Sequence, residues 1–171
     1  GSVFGLHRGV SVHVERPKIP TRTGPTWLRV GTLLDGVSTA PLREAHLVYD
    51  AHEILHVGPT PPPPSFLREG QREPDAILPD ATALPGLIEA HAHLFLEGGE
   101  EDPARRAEYL KQADAELLAR AVARLRRLLA IGVIAVRDAG DKNGVGLALQ
   151  TRYRTAEPGS MPYLDSPGAA I

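Results

Sequence analysis

The chain has 171 residues, with 19 Lys and Arg against 21 Asp and Glu, a formal net charge of -2. That balance gives no electrostatic footprint for nucleic acid or an anionic membrane surface. With no cysteine, a disulfide framework, a thiolate metal site and a cysteine nucleophile are all excluded.

Residues 1–25 show little pattern beyond the alternation Val10-Ser11-Val12-His13-Val14, and Pro17, Pro20 and Pro25 punctuate them. They read as an extended arm, with His7 and His13 as surface residues. The start carries no charged segment followed by a long apolar run, so no signal peptide and a cytoplasmic location are expected. No apolar stretch approaches the roughly 18 residues that a membrane span needs.

Residues 26–83 read as short strands. Trp27 to Leu34 is apolar and β-branched and stops at the turn signal Asp35-Gly36. Ala45 to Tyr49 and Glu53 to Val57 are the next two, separated by Asp50-Ala51-His52. His46, His52 and His56 are irregularly spaced and are expected at the surface or on an edge. Pro61 to Pro64 should form polyproline II, more simply a stiff loop than a partner's ligand. Ala76 to Leu78 predicts a brief strand ending before Pro79.

The texture changes at Leu84-Pro85-Gly86. Leu87 to Leu96 reads as a buried strand that carries His91 and His93, closed by Gly98-Gly99. Asp102-Pro103 is an N-cap followed by proline at the first helical position. Leu110, Leu117, Ala121, Leu125 and Leu128 recur at helical spacing, widened by Leu118, Val122 and Leu129. A break near 112–114 would let Asp114 cap a second helix. Glu116 and Arg120 are spaced to pair, and Arg120, Arg124 and Arg127 should form a solvated face. Gly132 ends the helix. Val133 to Val136 predicts a fully buried strand that ends in Arg137-Asp138-Ala139-Gly140-Asp141, and a short helix follows through Leu147 to Gln150. Strand, helix, strand at this length is a βαβ unit with parallel strands, hence an α/β fold.

The spacing His91-x-His93 carries the strongest chemical signal. In a strand, residues i and i+2 point to one side. Two neutral imidazoles side by side suit one borderline divalent ion such as Zn²⁺. The structural alternative is a pair of histidines hydrogen-bonded to their neighbours. The burial expected for this strand favours the metal, because unpaired imidazoles are costly to bury.

The run Leu84-Pro85-Gly86-Leu87-Ile88-Glu89-Ala90-His91-Ala92-His93-Leu94 resembles the first barrel strand of the metal-dependent amidohydrolase superfamily. Gly31-Thr32-Leu33-Leu34-Asp35-Gly36 and Ile54-Leu55-His56-Val57-Gly58 are similar to the small β-sandwich that precedes the barrel in those enzymes. Gly132 to Gly140 looks like the second barrel strand, and Met161-Pro162-Tyr163 like the approach to the third. The resemblance implies an incomplete (β/α)₈ TIM-type barrel, its first two strands present in 84–171, preceded by part of a β-sandwich in 26–83. It implies that His91 and His93 are metal ligands, for one or two divalent ions in the complete enzyme, Zn²⁺ above all. The remaining ligands come in that family from later strands: a carboxylated lysine or a glutamate, two histidines and an aspartate that also serves as base. None can be placed in this stretch, and Lys142 is in the wrong place to be that lysine. Glu89 stands where the family most often has aspartate. Asp138 could reach the barrel mouth, where a structural role fits better than ligation, and no catalytic residue is assigned.

The function implied is hydrolysis of an amide or dipeptide-like C–N bond in a small molecule, by the whole enzyme. The partner this chain needs is the missing C-terminal barrel portion or a complementing chain, without which it should be inactive. The other readings are a deaminase of the same superfamily, acting on a ring C–N bond, and a non-catalytic module in which the histidines are structural.

Overall fold

In the computed structural model, residues 18–21, 23–96, 98–99, 101–154 and 159–168 are described; His7, His13 and the Val10–Val14 alternation lie outside them. The chain forms two compact units that divide between Pro85 and Gly86. No helix among the described residues is long and apolar enough to cross a membrane.

The first unit is built on one four-stranded mixed sheet. Its strands are β1 (Thr26–Leu33), β2 (Leu42–Tyr49), β3 (Ile54–Gly58) and β4 (Ala76–Ala83), in the order β3-β2-β1-β4. β1 pairs antiparallel with β2 and parallel with β4. β1 is paired along both edges, and Trp27, Leu28, Val30 and Leu33 are buried. Leu28 and Val30 pack with Ala45, Leu47, Ala76 and Leu78 on one side. Trp27 lies on the other, in register with the buried Val48. Asp35 terminates the first hairpin strand by accepting from the Val37 and Ser38 N–H groups at 2.9 and 2.7 Å.

Two expectations fail here, for physical reasons. β4 does not stop before Pro79 but runs through it. Proline is tolerated because β4 is an edge strand, and the β1–β4 register shifts between Val30 and Thr32 to absorb it. The shift drives the Pro79 carbonyl against Gly31, where an added Cβ would sit 1.7 Å from that oxygen. His46, expected at the surface or on an edge, lies on the interior strand β2, is buried at 8% exposure and accepts a hydrogen bond from the Trp27 indole. His52 is exposed, as expected, and His56 half-buried on the edge strand β3.

The second unit is α/β. A three-stranded parallel sheet takes the order β5 (Leu87–Ala92), β6 (Val133–Asp138), β7 (Tyr163–Asp165). The helices are α1 (Pro103–Tyr109), α2 (Asp114–Ala130) and α3 (Val145–Tyr153). The βαβ order is as the sequence reads, and there is a third parallel strand beyond the two expected. Asp102 caps α1, accepting from Ala104 N–H at 2.9 Å with Pro103 at the first position. The helix does break near 112–114, but Ala113 is the N-cap of α2 and supplies no side-chain bond. Asp114 sits just inside, with Glu116, where the helix dipole favours carboxylates; its oxygen accepts from Asn143 at 2.8 Å instead. Glu116 and Arg120 pair at 2.8 Å.

Leu117, Ala121 and Leu125 of α2 are fully buried. They pack with Val145 and Leu149 of α3 and with Val133, Val136 and Leu164 of the sheet. Leu110, counted in the stripe by its spacing, is half-exposed and lies past the end of α1. Arg124 departs from the solvated face and donates to the Leu94 carbonyl at 2.7 Å.

β5 is not a buried strand, and β6 is buried only in part, at Val133, Val136 and Asp138. β5 is exposed along its length until Ala92, and Ile134 is half-exposed. The cause lies in the layering. Helices cover one face of the sheet, and Ile88, Ala135 and Tyr163, in register on neighbouring strands, form a row on the other. Ile88 and Tyr163 are 70% and 72% exposed. β5 also ends earlier than expected, at Ala92, because Leu94 and Phe95 turn into the helical core.

Gly31→Ala should lower the stability of the first unit by about 1–3 kcal/mol, since backbone rather than a flexible side chain must give way. Gly58→Ala, which meets only the His56 ring at 3.7 Å, should stay within about 0.5 kcal/mol. Urea unfolding followed by the fluorescence of Trp27, the sole tryptophan, measures both.

Candidate metal centre

His91 lies near the end of β5 and His93 one residue past it. Ala92, between them, packs against the helical core. Alternation about Ala92 therefore sends both imidazoles to the side of β5 opposite it, away from the helical core. The ring centroids are 5.3 Å apart and the planes nearly perpendicular, at 83°. His91 is exposed and His93 half-buried, so the desolvation argument drawn from a buried strand does not apply to this pair; their proximity does.

The two residues are held differently. The backbone N–H of His91 donates to Glu89 Oε1 at 2.9 Å, which ties the Glu89 side chain to the strand's own backbone. His93 Nδ1 lies 2.8 Å from the Gly140 carbonyl oxygen. A carbonyl only accepts, so Nδ1 carries a proton, and in the neutral ring the lone pair is then on Nε2. This is the outer hydrogen bond that usually orients a metal-binding imidazole. Gly140 aims that carbonyl from φ +124°, a conformation that side chains disfavour. Next to it, Ala139 N–H donates to the Ala92 carbonyl at 2.7 Å and extends the β5–β6 ladder.

Beneath the pair lies a buried polar knot. Asp138 is fully buried. Its Oδ1 accepts from Leu94 N–H at 3.1 Å and its Oδ2 from the Ser166 hydroxyl at 2.9 Å. Burial raises its pKa above the ordinary carboxylate value and Asp141 adds to the rise, while the bonds from Leu94 and Ser166 and the nearby His93 oppose it. Asp141 accepts from Gly144 N–H at 2.8 Å and from Gly146 N–H, and so caps α3. Gly146 has no room for a side chain: an added Cβ would lie 2.3 Å from both Asp138 Oδ2 and Ser166 Oγ.

Two imidazoles sharing one tetrahedral ion at ~2.1 Å from each nitrogen have centroids roughly 5 Å apart. The observed separation and the free Nε2 of His93 fit such an ion. Among the described residues no group of three or more His, Asp or Glu side chains converges on one point, so the pair stands as two donors. Lys142 is turned away, its Nζ donating to the Leu110 carbonyl. Asp138 is structural here, both its oxygens being occupied. Gly140 and Asp141 carry one local signal, the Asp-Ala-Gly-Asp run at the end of β6, and nothing local marks Ser166 as a partner of Asp138.

No family model matches the chain, and no curated protein does. Solved structures do. The chain is similar to a Xaa-Pro dipeptidase with methionine bound in the active site, at 22% identity and TM-score 0.64, over 86% of this chain and 34% of that one. It is similar to an amidohydrolase at 24% identity and TM-score 0.61, over 85% and 32%. A third likeness is to ochratoxinase from A. niger, at 24% identity and TM-score 0.60, over 85% and 31%. What they share with this chain is the fold. The chain spans about a third of the length of each.

Asp138→Ala should cost about 2–4 kcal/mol, because it leaves the buried Leu94 N–H and Ser166 hydroxyl without their acceptor. Asp138→Asn keeps an acceptor for Leu94 and should cost less than half as much. Thermal unfolding followed by far-UV circular dichroism ranks the two; equal losses would place the energy elsewhere.

Proposed function

We propose that the chain is the N-terminal part of a metal-dependent amidohydrolase, a first portion of a (β/α)₈ barrel in which His91 and His93 supply two ligands of a divalent ion, Zn²⁺ fitting best. The observation that carries the reading is the His91–His93 pair at the C-terminal end of a parallel strand, with His93 Nδ1 committed to Gly140. Active sites of such barrels lie at that end of the strands. The bare row Ile88, Ala135 and Tyr163 supports the partial barrel, since a parallel sheet is ordinarily covered on both faces.

When bound, the ion would supply an activated water and polarise a substrate carbonyl. The chain's own residues do the holding. His91 and His93 donate neutral nitrogens, Gly140 fixes the His93 tautomer, and Asp138 pins the backbone immediately after His93. The dipeptidase and the amidohydrolase among the likenesses support a small amide or dipeptide-like substrate over ring deamination. Two ligands are too few for a tight catalytic site, and the missing barrel portion, or a chain that complements it, would supply the rest. This polypeptide alone is therefore inactive.

Titrating the chain with Zn²⁺ while following the ring signals of its seven histidines by NMR tests the assignment. The signals of His91 and His93 should respond together and first, and in His91→Ala the response of His93 should weaken at least tenfold. A response confined to other histidines, or hydrolysis of an Xaa-Pro dipeptide by the purified chain, would overturn the reading.

A further inference from the structure

The Trp27–His46 contact in the first unit is a directional bond between a group that can only donate and a ring that accepts in one protonation state. Indole Nε1–H donates to His46 Nδ1 at 3.0 Å, both groups being buried. The rings lie 5.6 Å apart at 46°. His46 is thus neutral, with its proton on Nε2. A second proton would occupy Nδ1, and turning the ring over would not help, because an imidazolium has no lone pair on either nitrogen.

Trp27 is also where several strands are joined. Its backbone N–H donates to Asp75 Oδ2 at 2.9 Å, and its carbonyl accepts from Asp75 N–H at 2.7 Å. Asp75 is in turn bound to Arg68 at 2.5 Å. Its indole ties β1 to β2, and its backbone ties β1 to the segment that leads into β4.

We propose that the Trp27–His46 hydrogen bond is a proton-operated latch on the four-stranded sheet, closed while His46 is neutral and released when it is protonated. The neighbours on this face oppose a charged ring. Arg29 of β1 stands in register with His46, and His56 of β3 faces Val48 beside it. Glu44 of β2 is paired with Arg29 at 3.2 Å, Asp75 is engaged by Arg68 and Trp27, and β4 contributes the apolar Ile77 opposite Arg29. Burial, then Arg29 and His56, hold His46 below its ordinary value of 6.5. The sign follows: the latch contributes fully above pH 6.5 and is lost as pH falls through the window below it.

Trp27 is the only tryptophan, so the latch reports on itself. Its emission in the full chain, titrated from about pH 8 to about pH 5, should show one step with a midpoint below 6.5. The step should vanish in His46→Asn, which keeps an acceptor without a titrating ring, and persist in His52→Asn and His56→Asn. A flat wild-type profile, a midpoint at or above 6.5, or a step that survives in His46→Asn would overturn the proposal. Should His46→Asn fail to fold, the single indole N–H resonance of the wild type decides. Loss of its exchange protection in the same step supports the latch, and protection kept throughout overturns it.

Discussion

A buried carboxylate at the end of β6 organises the second unit. Asp138 accepts from the backbone just past His93 and from Ser166 just past β7, so one side chain fastens the C-terminal ends of three parallel strands. A buried ionisable group left unpaired would be strongly destabilising; satisfied from both neighbouring strands, it fixes where each must end. The consequences spread outward. Gly140 lies two residues on and holds the His93 ring, Asp141 caps α3, and Gly146 must lack a side chain for the knot to close. The separation of the two imidazoles follows from backbone positions that this knot sets.

The same sheet is one-sided. Its helical face is a dense core around Leu117, Leu125 and Leu149, and its other face presents Ile88 and Tyr163 to solvent. Parallel strands seldom stand that way. The histidine pair projects from β5 on the side opposite Ala92, which packs on that helical core. Under the proposed reading the pair's side is the inside of a barrel, and the segment that would cover it is also the segment that would bring the remaining ligands.

Local chemistry was legible in the sequence wherever the cause is local. Asp102-Pro103 starts a helix, Gly132 ends one, and Glu116 finds Arg120 because each depends on residues within a turn or two. The spacing of His91 and His93 foretold their proximity for the same reason. What escaped depends on partners distant in the chain. Ser166 reaches Asp138 from 28 positions away, and Trp27 reaches His46 across 19. An apolar run continued the β5 pattern through Leu96, yet Leu94 and Phe95 leave the strand for a core built by α2 and α3. Strand periodicity also overstated burial, since alternation gives the two faces and not whether something covers each. Pro79 looked like a stop, but an edge position opposite a glycine lets the strand pass.

The central claim is that the rings of His91 and His93 converge on one ion. The most direct measurement is a crystal structure of the Zn²⁺-loaded protein with anomalous scattering recorded at the zinc edge. It should show one peak bridging the two side chains, with His93 bound through Nε2 at about 2.1 Å and its Nδ1 still on Gly140. Zinc seated elsewhere, or the two rings turned from each other around an empty space, would contradict the account.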